Sequence, residues 1–369
     1  MQIKNINIQL KNIKVLFENK KSENFTNIWL RDHIFNEENW DFVTNQRKTF
    51  TAALDPKVFI KKAKIIDNGK YLILEWSDQK KLAKYSGQFL YGISKNNNLK
   101  NYFYKTWEKK DIRKDISLKF DKAITNEGFK ILLKNICTYG FCLITNCKPN
   151  KKSVKKIANK IGYIRQSIFG GLWSFEANNK MSDSAYSKSE LRPHTDSTYS
   201  NDAPGLQLLL CCKYNAKGGE SILVDGFRIA EKIKKKNKKF FKILSTVEVP
   251  GNYVGDGVSL QAERPIFKLN KKEKIIQVSF NNYDRAPFKL EEKKTLEFYN
   301  ALRKFDTIAN DKKSQWRRIL KPGELLIINN WRVLHGRSKF KGSRKMSGCY
   351  INKEDFDSVC RINGLDSRE

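Results

Sequence analysis

Three histidines in 369 residues leave few ways to build a metal or acid–base centre. Two of them have suggestive company. His194 lies in Arg192-Pro193-His194-Thr195-Asp196, and in an extended segment residues i and i+2 project to the same side. One imidazole and one carboxylate are therefore expected to converge. His335 comes much later, just past the apolar run Glu324–Ile328. Two imidazoles and one carboxylate form the facial triad of non-haem iron oxygenases, which leaves three coordination positions open. Zinc accepts the same donors, but no HExxH segment is present to supply a hydrolase's base. Ligand type and spacing alone also admit two histidines satisfied in loops. Arg344 lies shortly beyond His335 and could pair bidentately with a remote carboxylate of a co-substrate, or be a surface arginine in a basic chain. Upstream of the HxD pair, Phe169, Trp173 and Tyr186 cluster in sequence. Aromatic faces hold quaternary ammonium groups, although such a cluster also suits a hydrophobic core.

The elements that must carry these residues are legible as patterns. Residues 1–115 alternate apolar and polar side chains in short bursts, as in Ile6-Ile8-Leu10 and Tyr71 to Trp76, with Asn and Gly between them. A small β-rich domain is expected there. Asn96-Asn97-Asn98 and the charged run at Lys109-Lys110-Asp111 place a boundary near 105–120. In 116–369 helical spacing marks 153–161, 227–244 and 293–308. Between them lie the buried-strand candidates 206–212, 221–224, 275–280, 325–328 and 348–351. Many short strands with a few helices predict a β-sandwich or jelly roll with helical cover.

Forty per cent hydrophobic and 12% aromatic residues exclude a disordered chain. The formal charge of +33 is dispersed, and even the lysine run from Lys232 to Lys239 suits a solvated helix face. No nucleic-acid partner is expected, and a basic nucleic-acid-binding protein with an incidental triad is the rival class. Cys137, Cys142, Cys147, Cys211, Cys212, Cys349 and Cys360 form no CxxC pair. They read as reduced core thiols of a cytoplasmic protein. No apolar run has membrane-spanning length, and the first residues carry no leader pattern, so no membrane partner is expected.

A set of longer motifs goes further. They are Ile164 through Trp173, Asp183-Ser184-Ala185-Tyr186, His194 through Tyr199, Gly218 through Phe227, Asn281 through Ala286, and Asn330 through Arg337. Trp29-Leu30-Arg31-Asp32-His33 and Asn45-Gln46-Arg47 belong to the same set. Together they resemble the γ-butyrobetaine and trimethyllysine dioxygenase family, within the taurine dioxygenase-like iron(II) and 2-oxoglutarate oxygenases, over nearly the whole chain. The resemblance implies a double-stranded β-helix catalytic domain behind a small β-rich domain. It implies iron at His194, Asp196 and His335, and 2-oxoglutarate at Arg344 with Leu209 and Ser221. It places a trimethylammonium cage at Phe169, Trp173 and Tyr186, and further substrate contacts at Asn281 and Tyr350. Dioxygen as co-substrate, stimulation by ascorbate and a homodimer are also compatible with it.

Some details lean toward the trimethyllysine branch. Asp183 stands where the butyrobetaine enzymes tend to carry Asn, and could hold a substrate α-ammonium. Ser197 follows Asp196 where those enzymes tend to carry an aromatic residue. Hydroxylation of γ-butyrobetaine or of a trimethylammonium phosphonate is the alternative. There are departures too. Family members often hold zinc in the N-terminal domain through cysteines after the WLRD motif, but residues 34–40 contain none, so no structural zinc is expected. Phe169 stands where Tyr is usual.

Overall fold

A computed structural model of the chain describes residues 1–94, 104–112, 116–176 and 188–365. The chain forms two compact units, Met1–Lys100 and Asn101–Glu369. In the first, alternation becomes sheet. Ile13, Val15 and Phe17 point inward from the strand Asn12–Phe17, and Leu72, Leu74 and Trp76 from Tyr71–Trp76. Each is the centre of a three-stranded antiparallel meander, and together the two sheets enclose one core. The family-like residues near 31–47 hold this unit together. Asp32 accepts from Arg47 Nη1 and Thr51 Oγ1, both at 2.7 Å, and Arg31 pairs with Asp78 at 2.9 Å. The His33 ring stacks on Trp29 at 4.1 Å and contacts the Trp29 carbonyl through Nδ1 at 2.7 Å.

The second unit is built on two sheets. The larger runs in the order Ile164–Arg165, Phe340–Ile351, Leu206–Gly218, Leu325–Asn329, Phe141–Thr145, Ser117–Lys119, and Trp173–Glu176 adds to the edge of Phe340–Ile351. The smaller runs Leu191–His194, Val333–Arg337, Ser221–Asp225, Gln315–Arg318. Side chains alternate across a strand, and three separate cores result. Leu326, Ile328, Phe141, Leu143, Leu223 and Val333 meet between the sheets. Leu325, Ile327, Leu208 and Leu210 turn outward beneath the helices Asn126–Tyr139 and Lys151–Ile161. Ile222, Val224 and Leu334 leave the smaller sheet to pack under Gly226–Lys236, Lys238–Thr246 and Glu292–Asn310. With both faces covered, the strands read as continuous apolar runs. The architecture is that of the expected jelly roll.

Two expected elements are redrawn, and one segment changes unit. The single helix expected over 227–244 is two, because Asn237 adopts an extended conformation (φ −152°, ψ 96°) and accepts from the Phe240 N–H, capping a second helix. The strand candidates 206–212 and 348–351 are the ends of one long pair, Leu206–Gly218 against Phe340–Ile351. The segment 104–112, assigned on sequence to the N-terminal domain, lies in the second unit. There Trp107 donates from its backbone to Asp225 Oδ2 at 3.1 Å and from Nε1 to the Tyr139 carbonyl at 2.6 Å.

Asp225 anchors more than Trp107. It receives Arg332 Nε at 3.1 Å and Nη2 at 2.9 Å, and its Oδ1 caps the helix start by accepting from Phe227 N–H. Arg332 also donates to the carbonyls of Lys105 and Thr138. Both side chains are essentially inaccessible. Breaking a buried pair on one side leaves an uncompensated charge, which costs about 3–5 kcal/mol. Asp225→Ala should therefore lower the urea unfolding free energy by about that amount. A loss under ~1 kcal/mol would assign the pair no structural weight.

Candidate metal centre

The strands Leu191–His194 and Val333–Arg337 are neighbours, and His194 stands directly opposite His335. The close approach needs Gly336, where a Cβ would lie 2.6 Å from the Leu191 carbonyl oxygen. The two imidazole centroids are 4.6 Å apart. Asp196 joins them by a route other than the one the sequence suggested. The strand ends at His194, and the chain then bends, with Ser197 in the left-handed region at φ 56°. The bend is held from outside. Thr195 N–H donates to the Phe280 carbonyl at 2.7 Å, and the Phe280 N–H returns a bond to Thr195 Oγ1. Asn330 Oδ1 accepts from Asp196 N–H at 2.8 Å, while its Nδ2 donates to the carbonyls of Asp196 and Pro204.

The result is a cluster in which one ligand atom from each of His194, Asp196 and His335 lies within 4.8 Å of the other two. Asp196 Oδ1 is 3.5 Å from His194 Nε2 and 3.2 Å from His335 Nε2. His194 Nδ1 donates to the Arg192 carbonyl at 2.8 Å, which leaves the Nε2 lone pair for the cluster. His335 Nδ1 is buried with no hydrogen-bond partner among the described residues, so strand pairing and the Asp196 contact at Nε2 aim that ring. Asp196 divides its oxygens. Oδ2 accepts from Gln207 Nε2 at 2.6 Å and from the Tyr350 hydroxyl at 2.8 Å, while Oδ1 faces only the imidazoles. One open carboxylate oxygen and two imidazole nitrogens are a donor set that suits a divalent iron ion bound on one face.

The electrostatics agree. Burial pushes the Asp196 carboxyl upward, but the flanking imidazoles outweigh it and hold the group far below the usual carboxylate range. Burial disfavours charge on His194, yet the Asp196 carboxylate and the Arg192 carbonyl raise its pKa. A concentrated negative centre with no Lys or Arg ion pair among the described residues is one that a cation would complete. Tyr350, buried beside the same carboxylate, is held well above the usual phenol pKa.

The cluster lies in a cavity with about 970 Å³ of empty space, open to solvent. Its walls bring together most of the residues singled out from sequence: Phe169, Trp173, Leu209, Ser221, Asn281, Arg344 and Tyr350. Asp183 and Tyr186 lie outside the described residues. Trp173 stacks on Phe175 at 5.5 Å, with Tyr350 at 5.8 Å and Phe169 at 6.5 Å. Gly348 makes that possible, since a Cβ there would overlap the Trp173 ring and the Leu208 carbonyl. Arg344 is 5% exposed, its Nε has no acceptor, and no carboxylate pairs with it among the described residues. Burial lowers its pKa. Arg337 lines the same cavity, and burial and Arg344 together bring it down to about 10.

Sequence reasoning gave no role to Gln207 and Phe175, and quoted Asn330 only as part of a motif. Gln207 left a signal, as the lone polar residue within the apolar run Leu206–Leu210. Asn330 and Phe175 act through a turn and a sheet edge, which local pattern does not mark.

Comparison with known proteins adds an independent line. Residues 102–350 match the model of the family described as taurine catabolism dioxygenase TauD, TfdA family. The chain is 31% identical to a trimethyllysine dioxygenase of Meyerozyma guilliermondii, over 96% of this chain and 93% of that protein. It is 31% identical to the mitochondrial trimethyllysine dioxygenase of Homo sapiens, over 92% and 83% respectively. The γ-butyrobetaine dioxygenase of Homo sapiens is 26% identical over 95% of this chain and 94% of its own.

Proposed function

Because the chain belongs to the taurine catabolism dioxygenase TauD, TfdA family, we propose that it hydroxylates a small trimethylammonium compound while consuming 2-oxoglutarate and dioxygen. It is a 2-oxoglutarate-dependent dioxygenase, and the substrate is trimethyllysine, with γ-butyrobetaine as the alternative. One observation carries the reading. The His194, Asp196 and His335 ligand atoms converge in a cavity that is also lined by a buried arginine with no carboxylate partner among the described residues and by a wall of aromatic rings.

His194, Asp196 and His335 would hold the iron, which when bound supplies oxidation of a C–H bond at the expense of 2-oxoglutarate. Gln207 and Tyr350 hold one oxygen of the Asp196 carboxylate and Asn330 holds its backbone, so that the other oxygen would face the metal. Arg344 offers a desolvated guanidinium to the co-substrate's remote carboxylate, with Leu209 and Ser221 shaping that wall. Phe169, Trp173, Phe175 and Tyr350 receive the trimethylammonium group, which has no N–H to donate and is held by ring faces and shape. Positioning the substrate carbon over the open metal face is the protein's main contribution to rate.

The test is succinate release with trimethyllysine, γ-butyrobetaine, unmethylated lysine and a neutral tert-butyl isostere of the cation. Turnover should follow the trimethylammonium group. Equal rates with the neutral isostere would remove the cage from the account. Trp173→Ala should weaken trimethylammonium substrates about tenfold or more, since cation–π contacts are worth about 0.5–2 kcal/mol each, most at Trp. Its 2-oxoglutarate KM should stay within about twofold of wild type. Parallel losses in both would mean that Trp173 supports the sheet edge instead.

A further inference from the structure

A second chamber abuts the metal cavity. It is narrow, about 360 Å³ of empty space when the solvent at its mouth is counted, and its polar lining is Thr198, Arg264, Ser279, Asn281, Asn282 and Arg285. The two spaces share a seam. Asn281 lines both, Ser197 faces the metal cavity while Thr198 faces the chamber, and Asp284 and Arg285 divide in the same way. The seam is firmly built. Asn252 N–H donates to the Asp284 carbonyl and Ala286 N–H to the Pro250 carbonyl. Gly251 lets the Thr198 backbone lie close, where a Cβ would come within 2.6 Å of Thr198 C.

Arg264 is the unusual member. It ends the strand Val258–Arg264, is 8% exposed, and its Nη2 is buried with no acceptor. No carboxylate lies within ion-pair distance of it among the described residues, and Asp202, whose field it feels with that of Glu248, is taken by Arg165 at 2.7 Å. Burial pulls its pKa down against those fields. A buried guanidinium with open donors is costly unless an anion meets it. Its forked donors match a carboxylate.

We propose that this chamber is the subsite for the substrate's carboxylate, with Arg264 as its specificity-determining cation. The inference rests on the trimethylammonium reading. A substrate with a cation at one end and a carboxylate at the other needs two unlike subsites. Phe169 and Trp173 serve the first. In the metal cavity the buried arginines are Arg344 and its neighbour Arg337, and Arg344 is committed to 2-oxoglutarate. Arg337 stands beside it and donates to the Ser189 carbonyl, so among the described residues Arg264, across the Asn281 seam, is the buried pocket-lining guanidinium outside that pair.

The experiment is a cycle between protein and ligand. Dissociation constants are measured by calorimetry for trimethyllysine and its decarboxylated analogue, with redox-inert nickel(II) and 2-oxoglutarate present. Wild type should prefer trimethyllysine by about 30-fold or more, the scale of a buried charge pair. Arg264→Gln should close the gap to about threefold while leaving the analogue's constant unchanged, which also reports an intact fold. Arg264→Lys, which keeps the charge but loses the fork, should fall between. A gap that persists in Arg264→Gln overturns the proposal. So does a wild type that binds both ligands equally, with no variant needed. A wild type that binds neither ligand overturns the trimethylammonium reading instead.

Discussion

His335→Ala is expected to abolish iron retention and to lower succinate formation by more than a hundredfold, as are His194→Ala and Asp196→Ala. Loss of an outer partner of a metal ligand alone typically costs about 10–100-fold, so loss of a ligand should cost more. The three sites should not be equal in their secondary effects. Asp196 receives Gln207, Tyr350 and two imidazoles, and its removal leaves buried donors without an acceptor. Asp196→Ala should therefore also destabilise the fold, by about 1–3 kcal/mol. His335 loses only its Nε2 contact to Asp196, which keeps Gln207, Tyr350 and His194, so His335→Ala should lower the unfolding midpoint less than Asp196→Ala, apart from the cavity it creates. Iron content and urea titration of the three variants separate these effects. Normal turnover in any one of them removes that residue from the triad.

The second large effect belongs to Arg344. Arg344→Ala should raise the 2-oxoglutarate KM by about 30-fold or more, because losing one partner of a buried charge pair costs about 2–5 kcal/mol. The substrate KM should move far less. Arg337 faces the same cavity and is the comparison: a loss confined to Arg337→Ala would move the anchor there. Arg344 depresses the charged form of Arg337, so one carboxylate between them would relieve it. Arg337→Ala is therefore expected to weaken 2-oxoglutarate less than Arg344→Ala, and not to leave it unchanged.

How much of this was legible beforehand differs by residue. The strands of the larger sheet announce themselves because both faces are buried and their runs are apolar throughout, as in Leu325–Asn329. The pairing of His194 with His335 followed from residue types, but its geometry did not. Asp196 reaches the cluster through a bend that depends on Ser197 adopting a positive φ and on Asn330 and Phe280 holding the turn. Strand alternation reached the right juxtaposition by a different path. Asn237 broke an expected helix because capping won over an amphipathic period that fits on either side of it. Gln207 was visible as a lone polar residue, yet its partner Asp196 is set by tertiary pairing. The Arg264 chamber draws on residues spread from Thr198 to Leu302, a convergence no local window contains.

The central claim is that this chain is a dioxygenase acting at the His194–Asp196–His335 face. The most direct test supplies iron(II), 2-oxoglutarate, trimethyllysine and isotopically labelled dioxygen, and weighs both products. The account predicts one labelled oxygen atom in succinate and one in hydroxylated trimethyllysine, formed in equal amounts and absent with Asp196→Ala. Unlabelled hydroxyl product, or equal product from wild type and Asp196→Ala, would contradict it.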